Sequence, residues 1–222
     1  MMSELEPVKT SPKWRKAAIQ TAIGFVVGVL AMSAAIALGE SLLSREALAE
    51  LPFSVVIAVL TSLTYLFVSL AGLCGALSPR VGARILNVED ADEARELQAM
   101  LRESAIGMAL WAAALLALAL AQPAGPVAAP TALALGAGGL IAGVWYCWRA
   151  YRVSDELWRM ITLETAAVSF GLVALGLGGW AMLAHLGFAP APQPLDILTA
   201  CFVLMLVTTF IVGGRRGMLM PR

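Results

Sequence analysis

Residues 104–148 run for 45 positions without an Asp, Glu, Lys or Arg. As one helix the stretch would reach about 68 Å, more than twice the ~30 Å hydrocarbon core of a bilayer. The chain must therefore turn back inside it, and Pro123, Gly125, Pro126 and Pro130 mark the place. Residues 17–39 and 51–79 are likewise free of charge. The stretch after Glu164 divides at Pro190, Pro192 and Pro194, just before Asp196. Six crossings are predicted, near 16–39, 52–76, 103–121, 129–148, 159–187 and 196–213. The fold expected is an all-α, polytopic six-helix membrane bundle in one domain, 1–222.

Composition agrees with that reading. Hydrophobic residues make up 60% of the chain, charged residues 14%, and the mean hydropathy is +0.83. Soluble domains carry about 45–50% apolar and about 25% charged residues. The runs are continuously apolar, whereas a membrane β-barrel would alternate. The first run is also longer than the ~7–15-residue core of a secretory signal, so it is expected to be an anchor.

Orientation follows from the basic residues. Fourteen of the 15 Lys and Arg residues fall on one side of the six crossings, leaving Arg45 alone on the other. Positive loops resist translocation, which predicts that both termini lie on the cytoplasmic side of the membrane. Trp14, Trp145, Tyr146, Trp148, Tyr151 and Trp158 gather at the same boundary, where amphipathic rings favour the interface. Trp111 and Trp180 fall outside that belt and are expected within the bundle or near its outer face.

Several functions are disfavoured. No face or tail is strongly basic enough for direct nucleic-acid binding. His185 is the sole histidine, and Cys74, Cys147 and Cys201 lie in separate apolar spans, so no metal centre and no disulfide framework is expected. No hydrolase, zinc-protease or phosphate-loop motif is present. The chain is expected to be no enzyme and to need no cofactor. Gly24-x-x-x-Gly28 and Gly139-x-x-x-Gly143 allow close helix approach, within a protomer or in a homo-oligomer. The polar stripe Thr61, Tyr65, Ser69 is expected to bond to helix carbonyls or across a packed interface.

Polar character concentrates in two cytosolic extensions, 77–103 and 149–160. The first carries Glu89, Asp90, Asp92, Glu93 and Glu96, with Asn87 or Asp90 as a candidate helix cap. In the second, Ser154 is the expected cap, Asp155 and Glu156 occupy the first turn, and Asp155 and Arg159 have ion-pair spacing. Glu103-Ser104-Ala105 matches Glu164-Thr165-Ala166, each preceded by an acidic pair. The match suggests three diverged helix hairpins.

Asp155-Glu156-Leu157 followed by Arg159, Ile161 and Leu163-Glu164-Thr165-Ala166 resembles the DE-x-x-R-x-I-x-L-E-A signature of small, uncharacterised bacterial multipass proteins. The similarity covers mainly 152–215, with 87–107 as a weaker copy, and Thr165 stands where that signature has Ala. Genes for such proteins often neighbour one for a helix-turn-helix regulator. The resemblance thus implies a membrane protein that binds or sequesters a cytosolic DNA-binding partner.

The partner-binding candidates are Glu89, Asp90, Asp92, Glu93, Glu96, Asp155, Glu156 and Arg159, whose carboxylates would meet a basic surface. Glu103, Glu164 and Arg102 form a second candidate group at the mouth of the bundle. There Glu103 and Glu164 are expected to meet, clamped by Arg102 and Arg159. Two other functions fit the residues. One is a small proton-coupled transporter titrating Glu164. The other is an accessory subunit of a larger membrane complex.

Overall fold

The computed structural model describes residues 51–78, 97–121 and 125–216, with residue 95 and isolated positions between 28 and 40. Five helices in it are long and apolar enough to cross a membrane. They are α1 (Phe53–Leu77), α2 (Gln98–Ala119), α3 (Ala129–Val153), α4 (Glu156–His185) and α5 (Pro194–Arg215). They correspond to the second to sixth predicted crossings. Of the first, residues 28, 29, 32–34, 36 and 37 are helical, as is Glu40 just beyond it; the rest lies outside the described residues.

Local chemistry sets the helix ends. Pro130 sits in the first turn of α3, where a missing N–H costs nothing. At α5, Pro194 follows Gln193, whose side chain and that of Asp196 form a reciprocal capping box. There the Gln193 amide donates to Asp196 Oδ2 at 2.8 Å. At the end of α4, Gly187 takes a φ of 79°, and the Phe188 amide donates to the Leu183 carbonyl at 2.9 Å. That Schellman turn needs a residue tolerant of left-handed backbone, which glycine is. Trp180 Nε1 then donates to the Pro190 carbonyl at 2.9 Å, so this tryptophan pins the following loop to α4.

α2 is the hub. It packs extensively against α3 on one side and α1 on the other, while α5 lies on α1 and touches the edge of α2. α4 packs chiefly on α5 and meets α3 only slightly. In lipid, helices gain little from hiding apolar surface from one another, so close van der Waals fit decides which pairs form. Small residues provide it here: Ala105, Ala112, Ala114, Ala117 and Ala119 of α2 are all buried. A Cβ at Gly139 would stand 2.8 Å from the Leu110 carbonyl oxygen and 2.9 Å from Ala114 Cβ. One at Gly143 would collide with the Trp111 indole. The second predicted glycine pair thus brings α2 and α3 together.

At mid-bundle, Phe202 of α5 takes Tyr65 and Trp111 edge-on, with ring centroids 5.5 and 5.7 Å away. Val55, Ala58, Ala112, Leu115 and Ala119 complete this core. Elsewhere the bundle turns large apolar side chains outward, including Leu133, Ile141, Phe170 and Leu175. A bilayer is the medium that makes such a surface stable.

Candidate functional site

The helices run so that Arg102, Arg149, Arg152, Arg159, Arg215 and Arg216 all lie at one end of the bundle. Glu103 opens α2 there. It is 3% exposed, and two guanidinium groups meet its carboxylate. Arg102 Nη2 lies 3.0 Å from Oε1. Arg149 reaches across from α3, with Nη2 at 3.3 Å from Oε1 and Nε at 3.2 Å from Oε2. No N–H is aligned on Oε2, so that last contact is Coulombic rather than a hydrogen bond. Alongside, Ser69 Oγ donates to the Ala105 carbonyl at 2.7 Å, and a Cβ at Gly72 would stand 3.2 Å from Ala105 Cβ. α1 therefore closes on the same turn of α2.

The second hairpin repeats the arrangement. Arg216, just past the end of α5, donates from Nε to Glu164 Oε2 at 2.9 Å and also from Nη2. Arg215 Nη1 is 4.0 Å from Oε1. In each hairpin, then, a glutamate on the opening helix pairs with arginine at the close of the returning one. Among the described residues the two carboxylates share no arginine, and two separate pairings stand where a common clamp was expected. Arg102 pairs with Glu103 alone among the described carboxylates.

Arg159 has a different task. Its Nε and Nη2 donate to the carbonyls of Tyr151 and Arg152 at 3.3 and 2.8 Å, capping the end of α3. Among the described residues it holds neither Asp155 nor Glu164. Asp155, not Ser154, caps α4: its Oδ1 accepts from the Trp158 amide at 2.8 Å. Ser154 instead donates back to the Ala150 carbonyl at 2.7 Å. The stretch read as a connection is thus mostly helix, with only Ser154 and Asp155 between α3 and α4.

Of the predicted partner-binding set, Glu89, Asp90, Asp92, Glu93 and Glu96 lie outside the described residues. Glu156 is exposed. Asp155 and Arg159 serve the elbow itself.

Inside the bundle the polar stripe of α1 is spent on holding helices. Thr61 bonds to its own Ile57 carbonyl, Ser69 to α2, and Tyr65 Oη to the Phe202 carbonyl at 2.8 Å. Among the described residues no cluster of His, Cys, Asp and Glu is placed to hold a metal.

No family model, curated protein or solved structure matches this chain. What it can do has to be read from its own side chains. Sequence reasoning passed over Arg149, Arg215 and Arg216, although a signal was present. Glu103 is the last charge before residues 104–148 and Arg149 the first after them. An antiparallel hairpin returns its two boundary charges to the same depth.

Proposed function

We propose that this chain is a non-enzymatic integral membrane scaffold that docks or sequesters a cytosolic protein. The partner class is a small helix-turn-helix regulator, as the resemblance around 155–166 implies. Both termini and the arginine-rich end face the cytoplasm, and the membrane is the bacterial inner membrane.

One observation carries the reading: three of the bundle's buried polar side chains are engaged in tying one helix to another. Tyr65, Ser69 and Glu103 each engage a second helix, and Glu164 is held by Arg216. Such an interior supports a rigid platform more than a moving carrier. Contact with a partner then falls to Glu156 at the arginine-rich end and to the acidic run 89–96, which the charge pattern of the sequence assigns to the cytosol. Complementary charge there sets encounter rate and specificity.

The test is affinity capture of the full chain from native membranes. A helix-turn-helix protein is expected among the captured proteins. Reversing Glu89, Asp90, Asp92 and Glu93 to Lys should release it while the chain still folds. Capture unchanged by that reversal, or no DNA-binding protein in the captured set, overturns the proposal.

A further inference from the structure

The outer face of α3 carries a continuous track that ends in a cation. Ile141, Trp145, Trp148 and Arg152 follow at intervals of four, three and four, which places them on one line of a helix. All four are exposed, the indoles of Trp145 and Trp148 by 60% and 56% as residues. From Arg152 to Ile141 the helix rises about 16.5 Å, close to half the hydrocarbon core. The track is therefore about as long as one leaflet is thick.

Contacts tie that end of the track to the start of α4. Trp148 stacks on Tyr151 with centroids 5.7 Å apart, and the Arg159 guanidinium sits 5.8 Å from the Tyr151 centroid on the same ring. Arg159 is in turn bonded to the backbone carbonyl of Arg152. The Arg159 guanidinium is thus fixed at the C-terminal turn of α3, where Arg152 follows the exposed Trp148 one turn along the same face. The nearest carboxylate in sequence, Asp155, spends Oδ1 on the Trp158 amide. Among the described residues no ion pair to a carboxylate involves Arg152, whereas Arg102, Arg149, Arg215 and Arg216 all have one.

We propose that Arg152, with Arg159 and Trp148, binds the phosphate headgroup of an anionic phospholipid, whose acyl chain lies along Trp145 and Ile141. A soluble phosphate would need only the two cations. The leaflet-length apolar track beneath them selects a lipid. Guanidinium suits phosphate through its planar fork of donors, and tryptophan suits the interface through its amphipathic ring.

The experiment titrates the purified full chain in detergent with phosphatidylglycerol, with phosphatidylcholine of the same chains, and with glycerol phosphate. The readout is apparent Tm. Phosphatidylglycerol should raise it, and the other two should not. Arg152→Gln should keep the lipid-free Tm and weaken the apparent affinity for phosphatidylglycerol about fivefold. Trp148→Ala should also weaken it. Arg215→Gln, which removes the same charge elsewhere on this end, should leave it unchanged. Equal stabilisation by phosphatidylcholine or by glycerol phosphate overturns the proposal. So does an equal loss in Arg152→Gln and Arg215→Gln, which would mean diffuse attraction without a site.

Discussion

Arg149 and Glu103 stand 46 positions apart in the chain, yet Arg149 Nη2 lies 3.3 Å from Glu103 Oε1. The glutamate side chain is 4% exposed and the arginine side chain 48%. One partner is buried and the other fans out to the surface, so the arginine delivers charge to a carboxylate that water hardly reaches. Removing that arginine leaves a buried anion short of its main cross-helix partner. An unsatisfied buried charge is costlier than the pair itself is stabilising.

Arg149→Met is accordingly expected to destabilise the bundle by about 1–3 kcal/mol. Arg102→Met should cost less, because Arg102 neighbours Glu103 on the same helix and ties no second element to it. Combining Arg149→Met with Glu103→Gln should cost less than the two losses added, with a coupling of at least about 0.5 kcal/mol. Denaturant unfolding in micelles measures the parent and the four variants, Arg149→Met, Arg102→Met, Glu103→Gln and the double. Strict additivity would show that the pair does not interact.

The two glycine pairs predict opposite outcomes. Gly143→Ala must displace the Trp111 ring, at a cost of about 1–3 kcal/mol. A Cβ at Gly28 meets nothing within 4 Å, so Gly28→Ala should stay within about 0.5 kcal/mol of the parent. Thermal scans of both variants separate the cases. Equal losses would show that space at Gly143 is not what limits packing.

Tyr65→Phe keeps the ring against Phe202 and deletes only the hydroxyl that bonds to the Phe202 carbonyl. A loss of about 0.6–2 kcal/mol is expected, the range found for hydrogen bonds between membrane helices. The readout is again unfolding in micelles. Unchanged stability would make the contact incidental.

The proposed orientation is tested with single cysteines in a chain whose Cys74, Cys147 and Cys201 are replaced by Ala. Pro192→Cys should react with an impermeant thiol reagent in intact spheroplasts. Arg152→Cys should react only after lysis. The reverse pattern would invert the bundle and remove a cytosolic partner from reach of its arginine-rich end.

Much of this molecule was legible beforehand, for reasons that can be stated residue by residue. The fold-back at Pro123 to Pro130, the break at Pro190 to Pro194 and the glycine spacing at Gly139 and Gly143 are all local signals. Each acts through backbone reach, a missing N–H or a missing side chain. The matched Glu103 and Glu164 were also visible as a pair. Their cross-helix partners Arg149 and Arg216 were not, because periodicity says which residues share a helix face but nothing about which face meets which neighbour.

The same division holds at the elbow. A short polar break between two apolar runs is written in Ser154-Asp155-Glu156. That Asp155 caps while Ser154 bonds backward depends on the backbone angles at one turn, and Arg159 finds the carbonyls of Tyr151 and Arg152 only once α3 has ended there. Apolar length and the placement of charge, read along the chain, determined which segments could enter a bilayer, because burying peptide groups in lipid demands helices of about that length. The tertiary structure alone decided that each glutamate closes its own hairpin, since only packed helices bring charges separated by a whole crossing and its return to within hydrogen-bonding distance.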